Sequence, residues 1–508
     1  MDYSLYGLGA AYRGMVAAQA ALNTVGNNLA NANTEGYSRQ RVEQVPAASI
    51  MQYSFNTPVS LAQMGGGVQV TSIKRVRDDF LDMQVRYETA TLGANETMRD
   101  QVNQIEGLFQ EPGEYGLSAV MTKFFNAWDQ LAVKADDSAA RSEVREQGVT
   151  LANTFNAMHR NLVRMRADLD AQIQRQVADI NGLTSQVSAL NQQIAASGAL
   201  GTQSNSLMDQ RDALLEKLSK ITSIQTSLQP DGKMYVYMKG RGLVDSDRAE
   251  LLTTAANAEG NLSEVAFRGV VIPPMEIGGS LGALFSARDE VIGRSKAEAR
   301  PGTPVLPDTP NGVLYQLDVL ANELAQKVNA YHTTGTDLSG TMAGTPFFVN
   351  NNPYASVADN TFIGVQGFLV NLDIQNGTPG LDKIVAGRPT DAARPTVPGP
   401  GDNEIAQKIA SIRSEAGFGH PTQTLSDYYR TFLSNLGVVG QSANRTAVNQ
   451  TNLIDHLHDQ RESVSGVSFD QEMSDLVRYQ HAYNASAKVL TMFDEVLDRL
   501  INGVAPGR

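Results

Sequence analysis

The hydrophobic pattern of this chain is strongest near its two ends, where apolar or small residues recur every three or four positions. The N-terminal row consists of Leu8, Ala11, Met15, Ala18, Leu22, Val25 and Leu29. The C-terminal row consists of Leu476, Tyr479, Tyr483, Ser486, Leu490, Phe493, Leu497 and Leu500. A repeat of this kind predicts two amphipathic helices, each of which needs another helix against its apolar row. Chain ends normally fray, so two such helices indicate a protein that is built to assemble.

The two rows predict helices of unequal strength. The first helix, at about 5–30, has many alanines and contains Gly14 and Gly26, each of which costs about 1 kcal/mol relative to alanine. Such a helix is marginal in water, so we expect it to be disordered in the free subunit and to fold on contact. The second helix has larger apolar residues, begins after Ser468 in a capping-box pattern and ends at Gly503.

Between the ends, the longest helical pattern covers 139–196, and no proline or glycine interrupts it between Gly148 and Gly182. A continuous helix of this length would extend roughly 80 Å. Shorter helical patterns occur near 78–111, 120–131, 207–218, 281–293 and 313–331, and the pattern resumes at 405 and again at 425–457. Strand-like runs occur within 51–73, at 234–238 and at 265–272, which predicts β-hairpins near 222–275.

These patterns predict a mainly α fold with long helices, terminal coiled-coil helices and an inserted small β-rich portion. We expect a discontinuous terminal assembly domain, a long-helix body, and a small irregular insertion or reduced outer domain. Their respective ranges are 1–50 with 460–508, 51–335 with 404–459, and 336–403. A proline-rich linker is expected at 300–310, and an extended loop at 379–401.

Composition narrows the classes of partner. The 508 residues carry a net charge of −13, which argues against a nucleic-acid partner, and they contain no cysteine for disulfides or thiol chemistry. The basic cluster Lys74, Arg75 and Arg77 is followed by Asp78 and Asp79, and we interpret it as a solvated face. No apolar run is long enough for a membrane span, and the first residues do not resemble a cleaved signal peptide.

Candidate chemistry is sparse. His456 and His458 lie beside Asp455 and Asp459, but residues two apart on a helix point to different faces, which disfavours a metal site. No nucleotide-binding fingerprint or catalytic constellation is present, so we expect no enzymatic activity, no metal and no cofactor.

Five ordered blocks resemble one protein family. The stretch NNLANANTEGYSRQ, at 27–40, is similar to the loop after the first helix in the axial proteins of the bacterial flagellum, which are rod, hook and hook-associated proteins. The segment GGGVQVTSIKRVRDDFLDMQVR, at 65–86, resembles their next block. LMDQRDALLEKLSKI from Leu207, GSLGALFSARDEVI from Gly279 and the segment from Ser465 to the C-terminal helix are most similar to the family that forms the first junction between hook and filament.

The resemblance implies a structural junction protein that self-assembles into a ring at the distal end of the hook and adapts hook to filament. It implies pairing of the terminal helices and export, without a cleaved signal, through the flagellar type III apparatus to an extracellular place on the flagellum. Implied partners are further copies, the hook protein, the second junction protein and an export chaperone on the C-terminal helix, with no nucleic acid or membrane. The implied assembly residues are Leu8, Met15, Leu22, Leu29, Leu476, Tyr483, Leu490, Phe493, Leu497 and Leu500, with Asn28, Asn31, Gly36 and Tyr37 in the loop motif.

Three alternatives stay open from the sequence. Another flagellar axial protein, such as a hook or distal rod subunit, would generally lack the long helix at 139–196. A cytoplasmic coiled-coil scaffold would not need a marginal helix at one end. A wall-degrading hydrolase would need a compact domain with paired carboxylates, for which 335–403 is short and irregular.

Overall fold

Helices form most of the described chain. The computed structural model describes residues 2–48, 66–109, 111, 113–202, 204–245, 247–257, 260–294, 312–338, 345–350, 365–391, 394–398, 401–418 and 421–503, without side chains for 2–6, 389–400 and 500–503. The predicted linker at 300–310 and the side chain of Leu500 lie outside these residues. No helix of this described part has the length and apolarity that a membrane span requires.

The helices agree closely with the hydrophobic pattern. They are α1 Asp2–Ala30, α2 Asp79–Phe109, α3 Leu117–Val133, α4 Ser138–Ala199, α5 Asn205–Ile221, α6 Pro274–Ile277, α7 Gly279–Ser286, α8 Val313–His332, α9 Leu372–Gln375, α10 Gly377–Asp382, α11 Glu404–Ser411, α12 Leu425–Ser465 and α13 Phe469–Gly503. The predicted long helix is confirmed, because α4 contains 62 residues. The helix predicted at 281–293 is only partly α-helical, since a π-helical segment, Ala287–Ile292, follows α7.

The strands form small antiparallel sheets. They are β1 Gln40–Pro46, β2 Val68–Arg75, β3 Gln225–Leu228, β4 Met234–Met238, β5 Arg241–Asp245, β6 Arg248–Ala249, β7 Leu252–Ala256, β8 Ser263–Phe267, β9 Val270–Val271, β10 Phe348–Asn350, β11 Phe368–Val370, β12 Pro389–Asp391 and β13 Arg394–Pro398. The sheet orders are β1-β2, β3-β4-β5-β6, β7-β8-β9, β10-β11 and β12-β13. The predicted hairpins near 222–275 are therefore confirmed. The extended loop predicted at 379–401 is partly wrong, because α10 ends there and β12 and β13 pair within it.

The chain divides into two compact units. Unit 1 comprises Met1–Thr91, Ala178–Leu252 and Gln450–Arg508, and unit 2 comprises Leu92–Val177 and Thr253–Asn449. In unit 1, α5 and the β3–β6 sheet bury an aliphatic core that includes Leu215, Leu218, Val236 and Val244. The three predicted domains remain a prediction.

Unit 2 contains an aromatic core. The aromatic side chains of α3 are buried, and Trp128 lies 5.5 Å from Phe347 between ring centroids. Phe348 stacks on Phe368 of β11 with centroids 4.7 Å apart. On α4, a Cβ atom at Gly148 would lie 2.9 Å from the Phe347 ring, so glycine permits this close approach. Part of the segment expected to be irregular thus contributes to the core of unit 2.

His332 gives this core a pH dependence. The ring is fully buried, Nδ1 donates to the carbonyl of Thr345 at 2.8 Å, and Nε2 accepts from the amide of Val385 at 3.1 Å. Burial lowers the pKa of His332 to about 4. Between this value and the ordinary pKa of 6.5 the unfolded state binds more protons, so stability falls as the pH falls.

We expect lowering the pH from 7.5 to 5 to remove about 2 kcal/mol of stability through His332. Denaturant unfolding followed by the fluorescence of Trp128 would measure this, since the two rings lie 6.3 Å apart. His332→Gln should lose less stability than the wild type over this pH range, whereas His481→Gln, at an exposed position, should behave as the wild type. Parallel pH profiles for the wild type and His332→Gln would contradict this assignment.

Candidate assembly site

The two terminal helices pack along each other within unit 1. α1 contacts α13 and also contacts β1 and β2. At two points the side chain on α13 is opposite a glycine of α1. A Cβ atom at Gly7 would overlap the ring of Phe493, and one at Gly14 would lie 3.1 Å from Oγ of Ser486. The glycines that weaken α1 as an isolated helix therefore allow the close approach of α13.

The structure brings most of the predicted assembly residues to this helix pair. In α1, Ala18 and Val25 are buried. The described members of the predicted α13 row are partly buried, while most neighbouring positions are exposed. Partly buried positions of the two rows include Leu8, Met15, Leu22, Leu29, Leu476, Tyr483, Leu490, Phe493 and Leu497. Their contribution to assembly remains a prediction, because no other copy is present in the structure.

Asn28 links the end of α1 to β1 and α13. Its side chain is buried, and Nδ2 donates to the carbonyl of Gln40 at 2.9 Å and to Oε2 of Glu472 at 3.0 Å. Its Oδ1 accepts from the amide of Gln40 at 3.0 Å and from the hydroxyl of Tyr37 at 2.8 Å. Four hydrogen bonds thus use both sides of the carboxamide, so Asn28 holds the loop of the NNLANANTEGYSRQ motif on the helix pair.

The other predicted loop residues have local roles. Asn31 bonds back to Asn27 through Nδ2, with distances of 2.9 Å to the carbonyl and 3.0 Å to Oδ1. Gly36 has φ of +79°, a backbone conformation that strongly favours glycine. Burial, followed by the negative charges of Asp209 and Glu472, raises the pKa of Tyr37 to about 12, so its hydroxyl keeps its proton at neutral pH.

Glu472 and Arg39 are two structural residues that sequence reasoning missed. The side chain of Glu472 is only 1% exposed, and Oε1 accepts from Nε of Arg39 at 2.6 Å. Arg39 also donates to Gln471 at 3.2 Å, and its backbone amide donates to the carbonyl of Ser465 at 2.9 Å. The sequence shows a basic residue in the loop motif and an acidic residue in the first turn of α13, but not that the two form an ion pair.

The interpretation of Arg75 and Arg77 as a solvated face is wrong. Nη1 of Arg75 lies 2.9 Å from Asp209 and 2.7 Å from Asp212, and Nη1 of Arg77 lies 2.8 Å from Asp212. Arg86 approaches the same Asp212 carboxylate at 3.3 Å. Burial alone would raise the pKa of Asp212, but the nearby guanidinium groups hold it below its usual range. The ion pairs therefore join the β1–β2 hairpin and α2 to α5.

An apolar surface remains exposed on the terminal helices. Val477, Met492 and Val496 of α13 are 47%, 62% and 44% exposed, and Tyr12 of α1 is 56% exposed. Such side chains on both helices of one pair form candidate contacts for other subunits. In contrast, His456 and His458 lie on the α12 helix, and no group of metal-ligating side chains was found among the described residues.

Replacing Gly7 with valine should weaken the α1–α13 pair by about 1–3 kcal/mol, because the new side chain would overlap Phe493. A loss of 1.4 kcal/mol corresponds to about a tenfold loss of the paired state. Hydrogen exchange of peptides from α1 and α13 should therefore be faster in Gly7→Val than in the wild type. Gly9→Val is the matched control, because nothing lies within 4 Å of a Cβ atom there. Equal exchange for the two variants would contradict the predicted contact.

Comparison with known proteins identifies the family of this chain. The model of the flagellar hook-associated protein FlgK helical domain matches 102–348. The models of the flagella basal body rod protein and of the flagellar basal body rod FlgEFG protein C-terminal region match 8–37 and 459–503, where α1 and α13 lie.

Relatives support the same identification over the whole chain. Flagellar hook-associated protein 1 of Bacillus subtilis is 31% identical, with 100% of both chains covered. The protein of that name from Escherichia coli is 25% identical, with 97% of this chain and 98% of the relative covered. The solved structure of the flagellar hook junction protein FlgK from Burkholderia pseudomallei has a TM-score of 0.62 at 18% identity, covers 75% of this chain and 100% of its own, and shows the shared fold. By its full-length similarity to the Bacillus protein, this chain belongs to the family of flagellar hook-associated protein 1.

Proposed function

We propose that this chain is a structural subunit of the hook–filament junction, which forms a ring at the distal end of the hook and adapts hook to filament. The observation that carries the proposal is the α1–α13 pair, whose outer surface keeps apolar residues such as Tyr12 and Met492 exposed. Burial of this surface against neighbouring copies would stabilise an assembly. Different faces meeting head to tail would generate a ring or tube.

The α1–α13 pair also supports an order in which export comes before helix pairing and assembly. α1 is rich in alanine and glycine, so we infer that the chain is exported through the flagellar type III apparatus before the pair forms. An export chaperone would cover the apolar row of α13 until then. The cost of ordering the termini would be met when the subunit joins the ring. Its neighbours would be the hook protein on one side and the second junction protein on the other.

The family consists of flagellar structural proteins, and we propose that this chain has no catalytic role. The distal rod and hook alternatives lose support because the matched helical-domain model covers all of α4. The scaffold and hydrolase alternatives lose support because the relatives match from end to end.

The position of the protein in the flagellum tests this proposal. The bacterium that encodes the chain would be deleted for its gene and complemented with an epitope-tagged copy. We expect hooks without filaments in the deletion strain, and gold label confined to the boundary between hook and filament after complementation. Label distributed along the filament, or normal filaments without the gene, would overturn the proposal.

A further inference from the structure

A cavity in unit 1 is lined by several arginines, one of which is deeply buried. Its volume is about 710 Å³, and it lies among α2, α5 and the turn between β3 and β4. Five cationic side chains and three carboxylates line it, and Glu43 and Asp209 just outside the lining pair with Lys74 and Arg75. The cationic residues are Lys74, Arg75, Arg77, Arg86 and Arg211.

Arg211 differs from the other arginines of this cavity. It is 1% exposed, and among the described residues no carboxylate lies within ion-pair distance of its guanidinium group. Nη1 donates to Oδ1 of Asn191 at 3.1 Å and to the carbonyl of Gly232 at 2.7 Å, whereas Nε has no hydrogen-bond partner. A buried charge is costly unless it is paired and hydrogen-bonded, so this cation lacks a counter-ion.

The neighbouring carboxylate does not supply that counter-ion. Asp212 is already shared by Arg75, Arg77 and Arg86, at distances of 2.7, 2.8 and 3.3 Å. Burial, together with the positive charges of Arg75 and Arg86, which oppose the effect of Asp212, lowers the pKa of Arg211 to about 10. Arg211 is therefore a buried cation without an ion pair among the described residues, and an anion placed beside its guanidinium group would be stabilised by a charge-assisted hydrogen bond.

We propose that this cavity binds a small oxyanion, a carboxylate or a phosphate, through the guanidinium group of Arg211. Side chains of Met83, Met208 and Met234 form an apolar part of the lining. The cavity therefore has room for a short carbon chain beside the charged group. An organic carboxylate could contact this apolar part of the lining, whereas inorganic phosphate has no carbon chain to do so. This inference is independent of the proposed junction function.

Titration calorimetry of the full chain at constant ionic strength tests the proposal with two probes, inorganic phosphate and succinate. We expect saturable binding of one ion per chain by at least one probe. Affinity should fall at least tenfold in Arg211→Met, less in Arg211→Lys, and remain unchanged in Arg41→Met, whose arginine is exposed on β1. Tighter binding of succinate would assign an organic anion, and tighter binding of phosphate would assign a phosphate group.

A second variant keeps the test decisive if Arg211→Met does not fold. Met83 lines the cavity but is 49% exposed, so Met83→Trp should fold and obstruct the space. It should weaken binding severalfold while circular dichroism stays unchanged. The proposal is overturned if the wild type shows no saturable binding of either probe up to concentrations on the order of 10 mM. It is also overturned if folded Arg211→Met, or folded Met83→Trp when the former is unfolded, binds as the wild type does.

Discussion

Asp212→Ala is expected to destabilise unit 1 by about 3–5 kcal/mol, because it removes the shared acceptor of three largely buried guanidinium groups. Arg75 would retain Asp209, and Arg77 would retain Asp82 at 2.8 Å. Among the described residues, Arg86 would keep its bond to the hydroxyl of Thr226. The positive charges of these largely buried side chains would then repel each other.

Hydrogen exchange of peptides from α5 and β2 would measure this loss. Exchange that occurs through opening of unit 1 should accelerate by at least a hundredfold, since each 1.4 kcal/mol corresponds to a factor of about ten. Asp179→Ala is the matched control, because Asp179 is an exposed carboxylate on the part of α4 that belongs to unit 1. Similar exchange in the two variants would show that the ion-pair cluster contributes little to stability.

The helices of this protein were predictable because their apolar spacing is regular over many turns. α4 illustrates the point, since its buried row from Val144 to Ile194 follows the helical period and fixes one long element. Strand β1 was missed for the opposite reason. The sequence QRVEQVP has few apolar residues, and Val45 is exposed, so its conformation depends on pairing with β2.

The candidate site was only half predictable. The two apolar rows identify α1 and α13 from local spacing, and the structure pairs them. The polar contacts depend on partners that are distant in the chain. Arg75 stands close to Asp78 and Asp79 in sequence, yet its structural partners are Asp209 and Asp212. Local spacing cannot select among such carboxylates, because the fold decides which of them comes within reach.

The family resemblance grouped residues of the candidate site that the spacing of apolar positions could not group. It assigned Asn28 and Tyr37 to one loop motif, and the structure shows them hydrogen-bonded at 2.8 Å. The segment at 336–403 had no such motif. Its apolar residues, such as Val365, Phe368 and Val370, are interrupted by glycine, proline and asparagine and show no sustained helical or strand period, although these three are buried in unit 2.

Leu490→Glu combined with Leu497→Glu is expected to block incorporation into the junction while leaving export substantially intact. Both leucines are partly buried on α13, in the row that faces α1. Two carboxylates in this row would need to lose water for the helices to pair, which costs more than the apolar contact that they replace. Because the chain is proposed to pass through the export apparatus unfolded, the substitutions should act only after export, when α1 pairs with α13.

Complementation of the deletion strain would separate the two steps. The double variant should be found in the culture medium, without filaments on the hooks and without swimming. Leu490→Met combined with Leu497→Met is the matched control, since it changes the same two positions and keeps them apolar. Its filaments should remain, because the contact between α1 and α13 is preserved. Normal filaments with the leucine variant would mean that the contact between α1 and α13 does not hold the subunit in the junction. Loss of secretion would instead show that these leucines are needed for export.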